Sequence, residues 1–160
     1  METWVVSLSE MGREDVDLAG GKGANLGELV KAGMNVPPGF VVTAPAYLHA
    51  LEQAGVRDRL REQSEQASRS ESPTGAGEMR AMVHRVPVPP ELREAIVGAY
   101  AAMGNGVAVA VRSSATAEDS KDTSFAGMNA TFTNVVGAAA LIDALQRCWA
   151  SVFGDRVVSY

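Results

Sequence analysis

Several classes of protein are excluded by what this sequence lacks. It has one cysteine, Cys148, so no internal disulfide can form, and such sparse cysteine usage is typical of a reducing, cytoplasmic setting. No apolar run approaches the roughly 20 residues of a membrane-spanning helix. The first residues, METWVVSLSEMG, have neither the basic start nor the apolar stretch of a secretory signal. We therefore expect a cytoplasmic protein without a membrane segment.

Clustered basic charge and catalytic histidine patterns are also missing. The net charge is −5, and the 14 Lys and Arg residues are scattered, which argues against a nucleic-acid partner. His49 and His84 have no partner at a metal-ligand or triad spacing, and no G-x-S-x-G pattern occurs. The sequence therefore predicts no catalytic residue and no metal site within this chain.

Apolar residues make up 46% of the chain, which is enough for a core. Strand-like and helix-like patterns follow one another, which is typical of a mixed α/β (α+β) fold in one domain or two small lobes. Strands are predicted over residues 4–8, 40–43, 107–112 and 131–133. Helices are predicted from residue 24 or 25 to 33, over 46–54, 56–66, 79–86 and 91–103, and from 137 onward.

Local signals mark some of these boundaries. Thr43 is a plausible N-cap for the helix over residues 46–54, and Pro90 suits the first turn of the helix over residues 91–103. Residues 67–78, ASRSESPTGAGE, have the composition of a flexible loop. Cys148 falls within an apolar helical pattern, so a buried thiol is expected.

Glycines surround a lysine in the segment GGKGAN at residues 20–25. Glycines let backbone amides approach a ligand, and a helix that begins just after them adds a positive dipole end. Lys22 adds a point charge, so the segment resembles an anion site. It fits neither the Walker pattern nor G-x-G-x-x-G. Taken alone, a glycine-rich turn with a solvated lysine is the simpler interpretation.

A second segment, VAVAVRSSATAED at residues 107–119, begins as a buried strand and ends in Arg112 and a hydroxyl-rich loop. Such a strand can present a cation to an anionic ligand. On composition alone, a solvated arginine on a surface loop is the simpler interpretation. The carboxylates of Glu118 and Asp119 suit Mg²⁺, but adjacent side chains point apart, which favours solvation or an arginine partner.

Four motifs in order carry a resemblance to a known family. They are GGKGANLGEL (20–29), VPPGF (36–40), VRSSATAED (111–119) and SFAG (124–127). Together they resemble the N-terminal part of the phosphoenolpyruvate synthase family, which includes pyruvate phosphate dikinase and rifampin phosphotransferase. The resemblance covers residues 4–160 apart from the predicted loop over 67–78. It implies that residues 1–160 form the N-terminal portion of an ATP-grasp-like nucleotide-binding domain.

The resemblance also implies roles for four residues. Lys22 would contact phosphate, and Arg112 would bind the phosphate chain of ATP. Gly127 and Thr131 would line the same site through a backbone amide and a hydroxyl. Each is a hydrogen-bond donor, as a polyanionic ligand requires.

In that family, ATP, Mg²⁺ and a phosphorylated histidine convert pyruvate and water to phosphoenolpyruvate, AMP and phosphate. The magnesium ligands, the histidine domain and the pyruvate-binding domain of the family lie beyond the part that this chain resembles. The resemblance therefore implies a fragment that is inactive alone, whose partners are ATP and those remaining domains. Apolar surface at the boundary with a missing half is expected to favour a homodimer. A rifampin phosphotransferase, or a stand-alone non-catalytic nucleotide-binding or interaction module, remains an alternative.

Overall fold

Two short antiparallel ribbons organise the chain. The computed structural model describes residues 3–69, 75–114 and 130–153, which form six α-helices and four strands. The strands are β1 (Val5–Ser7), β2 (Phe40–Val42), β3 (Val109–Arg112) and β4 (Thr131–Val135). The helices are α1 (Val16–Lys31), α2 (Ala44–Gln53), α3 (Arg57–Arg69), α4 (Ala76–His84), α5 (Pro90–Ala102) and α6 (Ala138–Ser151). The predicted mixed fold is confirmed.

The chain divides into two units. The first comprises Met1–Tyr47, Pro90–Val107 and Ser114–Phe125, and the second comprises Leu48–Pro89, Ala108–Ser113 and Ala126–Tyr160. β1 pairs with β2 in the first unit, and β3 pairs with β4 in the second. The chain therefore passes from the second unit to the first between Ser113 and Ser114, inside the predicted arginine motif.

The first unit builds its core around β1, β2, α1 and α5. Val6, Met11 and Ala19 form a buried cluster, against which Leu18 and Val41 pack. The apolar stripe of α5 is buried as its spacing predicts, with Leu92, Ile96 and Tyr100 turned inward. The Tyr100 hydroxyl donates a hydrogen bond to the Val107 carbonyl at 2.6 Å, which fixes the chain where it leaves α5.

The second unit packs α4 and α6 together and sets α6 against the β3–β4 ribbon. The inward residues of α6 are Leu141, Ile142, Ala144, Leu145, Cys148, Trp149 and Ala150. The prediction of a buried Cys148 is confirmed. The Gln146 amide donates to the Val86 carbonyl at 2.7 Å and so ties α6 to the segment that follows α4.

Most predicted elements lie within a few residues of the observed ones. The Thr43 hydroxyl accepts a hydrogen bond from the Ala46 N–H at 3.4 Å, so the predicted cap of α2 is confirmed. Helix occupies both ends of the predicted loop over residues 67–78, because α3 extends to Arg69 and α4 begins at Ala76. Residues 70–74 between them lie outside the described part of the chain.

Two predictions are wrong. The helix expected to begin near residue 24 begins instead at Val16, so the glycine-dense segment lies inside α1 and not in a turn before it. The strand over residues 107–112 was expected to be buried on both faces, yet Ala110 and Arg112 of β3 are exposed. Its side chains alternate because, among the described residues, α6 covers one face of the ribbon.

None of the helices in the described ranges combines the length and the apolar character that crossing a bilayer requires.

Candidate functional site

Lys22 follows a break in α1. Gly20 has φ 69° and ψ 165°, a backbone conformation that only glycine adopts readily. Residues 21–31 continue as a helix beyond it, so a new helix N-terminus opens at this point. The first N–H groups of such a segment lack partners within the helix and must find them elsewhere. The helix N-terminus near Lys22 therefore arises from a break inside α1, and not from a helix that begins after the glycines as the sequence predicted.

The partner for one of these N–H groups comes from the arginine motif. The backbone N–H of Lys22 donates to the Ser114 hydroxyl oxygen at 3.2 Å, across 92 positions of sequence. A Cβ atom built on Gly20 would overlap the Ser114 side chain. The missing side chain at Gly20 therefore serves two purposes, since it allows the backbone break and leaves room for the capping serine.

Two further glycines hold α1 close to its neighbours. A Cβ on Gly23 would lie 2.9 Å from the Ala19 Cβ and 3.3 Å from a Val41 methyl group. A Cβ on Gly27 would lie 2.5 Å from the Met11 carbonyl oxygen. The separations of 2.9 and 2.5 Å are too short for a real Cβ contact, so these glycines permit close packing. The glycine spacing thus fixes the position of α1 in the first unit.

Arg112 and Thr131 are direct partners across the β3–β4 ribbon. Direct partners in an antiparallel pair project to the same face, and both of these residues are exposed. Val111 pairs with Phe132 on the opposite face, where the Arg147 guanidinium of α6 lies 4.1 Å from the centre of the Phe132 ring. The register therefore places an arginine and a threonine next to each other on the face turned away from α6.

A bulge in β4 sets this register. Val109 pairs with Val135, whereas Val111 pairs with Phe132, so β4 carries one extra residue between these pairs. Asn134 lies in that interval with φ 55°, the left-handed conformation that asparagine tolerates better than most residues. Without the extra residue, Arg112 would lie opposite Phe132, and the Arg112–Thr131 pair would be lost.

The two serines after Arg112 have different partners. Ser113 is buried, and both its N–H and its hydroxyl donate to the Ala130 carbonyl, at 3.0 and 3.4 Å. Ser114 caps Lys22 in the first unit. Ser113 therefore closes the end of the β3–β4 ribbon beside Arg112, and Ser114 supports the break in α1.

The predicted site residues divide between the two units. Lys22 belongs to the first unit, whereas Arg112 and Thr131 belong to the second and lie together there. Gly127, Glu118 and Asp119 lie outside the described residues. Within the described ranges, no group of three His, Cys, Asp or Glu side chains could hold a metal ion.

Ser114 was missed as a functional residue by sequence reasoning. The pattern of a serine pair directly after Arg112 was visible, but nothing local shows that one hydroxyl bonds 92 positions away. The only sequence signal was the paired glycines at 20 and 21, which leave room for a side chain from elsewhere.

Comparison with known proteins identifies the family of this chain. The model of the pyruvate phosphate dikinase AMP/ATP-binding domain matches residues 16–160, which include both the α1 break and the β3–β4 ribbon. The chain belongs to this AMP/ATP-binding domain family. The predicted nucleotide-binding character of the chain is thereby confirmed.

Relatives of this AMP/ATP-binding domain include phosphoenolpyruvate synthases and a rifampicin phosphotransferase. The chain is 41% identical over 98% of its length to a probable phosphoenolpyruvate synthase of Methanocaldococcus jannaschii, of which it covers 14%. It is 43% identical over its full length to the phosphoenolpyruvate synthase of Pseudomonas aeruginosa, of which it covers 22%. It is 42% identical over 99% of its length to the rifampicin phosphotransferase of Streptomyces sviceus, of which it covers 19%.

The AMP/ATP-binding domain described here spans between 14% and 25% of the length of such relatives. Residues outside that span contribute most of each relative. The chain therefore represents the nucleotide-binding region of the family and not the whole length of its members.

Proposed function

We propose that this chain supplies one side of the ATP site of a phosphoenolpyruvate synthase-like phosphotransferase. The observation that carries the proposal is the pairing of Arg112 with Thr131 on one exposed face of the β3–β4 ribbon, in a chain of the AMP/ATP-binding domain family. A guanidinium beside a hydroxyl suits a phosphate group, because the guanidinium donates two parallel hydrogen bonds and the hydroxyl adds a third.

Lys22 contributes the second cation of the proposed site. Its position two residues after the Gly20 break puts a positive side chain at a helix N-terminus, where the helix dipole also favours an anion. Gly127 is assigned to the same site by its motif position, through its backbone amide. All four groups are donors, and phosphoryl transfer depends mostly on positioning and on neutralising charge.

The metal and the overall fold class belong to the proposal as well. An ATP-grasp-like architecture and Mg²⁺ both follow from the resemblance to the synthase family. The magnesium ligands of that family lie beyond the part that this chain resembles, so the proposal includes Mg²⁺ ligands outside this chain.

The proposed reaction of the whole protein converts ATP, pyruvate and water to phosphoenolpyruvate, AMP and phosphate. The phosphoryl group would pass through a histidine on another domain, and pyruvate would bind to a third. The partners of this chain would then be ATP and these other domains. We also propose that the protein works in the cytoplasm, and that the chain alone associates as a homodimer.

A second candidate is the phosphorylation of a rifamycin. It is favoured by the 42% identity to the rifampicin phosphotransferase, which lies between the 41% and 43% identities to the two synthases. The acceptor would bind outside this chain in either case, so Arg112, Thr131 and Lys22 would have the same roles. A third candidate is a stand-alone module that binds nucleotide, or another protein, without catalysis.

The acceptor assay separates these candidates. The protein encoded by the complete gene is incubated with ATP, Mg²⁺ and either pyruvate or rifampicin, and AMP and the phosphorylated acceptor are measured. Phosphoenolpyruvate formed with pyruvate is the expected result. Product with rifampicin alone would establish the second candidate. Absence of product with both acceptors would contradict an enzymatic role.

Titration of the isolated chain with ATP and Mg²⁺ addresses the third candidate. A site that needs residues beyond this chain forfeits contacts and stays open to water, so calorimetry should detect weak binding or none. Tight binding by the chain alone would favour a stand-alone nucleotide module.

A further inference from the structure

Ser114 lies in the first unit and has no assigned role in the proposed ATP site. Its hydroxyl oxygen accepts the Lys22 N–H at 3.2 Å, and Lys22 is the second residue after the Gly20 break. In a helix cap the hydroxyl of a serine bonds the N–H of the second or third helical residue. Ser114 therefore acts as the N-cap of residues 21–31, although it comes from 92 positions away.

The fit between Gly20 and Ser114 restricts both positions. Gly20 has a positive φ, and any Cβ there would overlap the Ser114 side chain. Its own backbone conformation also rules out most side chains. The cap thus depends on Gly20, because Ser114 cannot reach the helix N-terminus unless residue 20 lacks a side chain.

This cap determines where the Lys22 backbone is held. A helix N-terminus without a capping side chain frays, since its first N–H groups find partners only in water. Lys22 is partly buried, and a lysine in such a position keeps its aliphatic stem against the protein and its ammonium group toward water. A fixed backbone at Lys22 limits the positions that the ammonium group can occupy.

We propose that Ser114 is a positioning residue, which caps the α1 break and thereby holds Lys22 in place to contact the phosphate chain of ATP. The proposal rests on the proposed function for the role of Lys22, but the cap itself does not. Ser114 is assigned no contact with the nucleotide. Its effect on ATP is expected to act through the Lys22 backbone alone.

The first experiment uses the chain without nucleotide. Hydrogen exchange of the Lys22 amide is measured by NMR in the wild-type chain, Ser114→Ala and Ser113→Ala. Loss of a serine cap should accelerate exchange at Lys22 by about five- to tenfold. Ser113→Ala also deletes one hydroxyl, but that hydroxyl bonds Ala130, so exchange at Lys22 should stay unchanged. Equal exchange in wild type and Ser114→Ala would overturn the proposal.

The second experiment uses the protein encoded by the complete gene and measures KM and kcat for ATP. Ser114→Ala should raise KM about fivefold with a smaller change in kcat, and Ser114→Thr, which keeps the hydroxyl, should recover most of the loss. Urea unfolding of each variant shows whether it is folded. If Ser114→Ala unfolds, Ser114→Thr and Gly20→Ala carry the test, and Gly20→Ala should raise KM as well.

The outcomes separate this proposal from the proposed function. If Lys22→Ala leaves KM for ATP unchanged while the Lys22 amide responds to Ser114→Ala, the proposed function fails and the cap stands. If Lys22→Ala raises KM but Ser114→Ala and Gly20→Ala do not, the positioning role is overturned.

Discussion

Arg112 and Thr131 are direct partners on an exposed face of the β3–β4 ribbon. If they bind phosphate as proposed, substitutions at either residue should affect ATP binding more than the fold. Arg112 is the clearer of the two cases. Its guanidinium has a planar set of donors that a lysine ammonium does not reproduce. Lysine in place of Arg112 would keep the positive charge but lose the planar arrangement of donors.

We predict that Arg112→Lys raises KM for ATP about tenfold in the protein encoded by the complete gene. The cause is loss of the two parallel hydrogen bonds to phosphate, while the positive charge remains. Arg57→Lys is the matched control, because Arg57 is an exposed arginine whose partner is Glu52 at 3.1 Å. Steady-state kinetics that show the same KM for Arg112→Lys and Arg57→Lys would contradict the phosphate role of Arg112.

Tyr47 in α2 gives a prediction about pH. Burial raises the pKa of the Tyr47 hydroxyl from 10.0 to about 12. Between these values the unfolded chain loses the proton while the folded chain keeps it, so the free energy of unfolding falls as the pH rises. The loss should reach at most about 3 kcal/mol by pH 12.

Urea unfolding from pH 9 to 12 measures this effect against Tyr47→Phe, which has no hydroxyl to titrate. The wild-type chain should lose stability more steeply with pH than the variant. Parallel pH profiles for the two proteins would show that Tyr47 titrates normally in the folded chain.

At the scale of elements, the position of α1 depends on glycines, because their lack of a side chain allows neighbouring residues to pack closely. Gly27→Ala should lower the free energy of unfolding by about 1–3 kcal/mol, because its Cβ would lie 2.5 Å from the Met11 carbonyl oxygen. Gly98→Ala in α5 is the control, since its Cβ would meet nothing within 4 Å. That change should stabilise the helix by roughly 0.5–1 kcal/mol.

Urea unfolding of the two glycine variants gives the sign of each effect. Opposite signs are the expected result. Stabilisation by Gly27→Ala would mean that α1 and the chain around Met11 are not packed as closely as described.

The β3–β4 ribbon depends on a single irregular residue. Asn134 has φ 55°, so Asn134→Gly should change the free energy of unfolding by less than about 0.5 kcal/mol, whereas Asn134→Val should cost about 1–2 kcal/mol. A β-branched side chain fits an extended strand but not this conformation. Thermal unfolding in which valine is tolerated as well as glycine would argue against a bulge at this position.

At the scale of the whole molecule, the sequence predicted what local signals determine. α5 is an example, because Pro90 fits its first turn and the spacing of Leu92, Ile96 and Tyr100 matches a helix. The cap at Thr43 is another. In both cases the residues that form the structure are close in sequence, so the local sequence pattern is enough to predict it.

The features that sequence reasoning missed depend on distant residues. A glycine-dense segment has low helix propensity, so the start of α1 at Val16 was not expected. The helix tolerates its break because Ser114 caps it from 92 positions away. The strand β3 was expected to be buried because its sequence is apolar. Its exposure is set instead by the elements that pack against it, which the strand's own sequence does not specify. The bulge at Asn134 leaves no comparable mark in the sequence.

The most direct test of the account is ATP-dependent phosphorylation of the protein encoded by the complete gene. Wild type, Lys22→Ala, Arg112→Ala and the control Arg57→Ala are incubated with labelled ATP and Mg²⁺, and label on the protein is counted. Lys22→Ala and Arg112→Ala should each abolish labelling, because each removes a cation assigned to the phosphate chain. Arg57→Ala should be labelled like wild type. Normal labelling of both Lys22→Ala and Arg112→Ala would contradict the account.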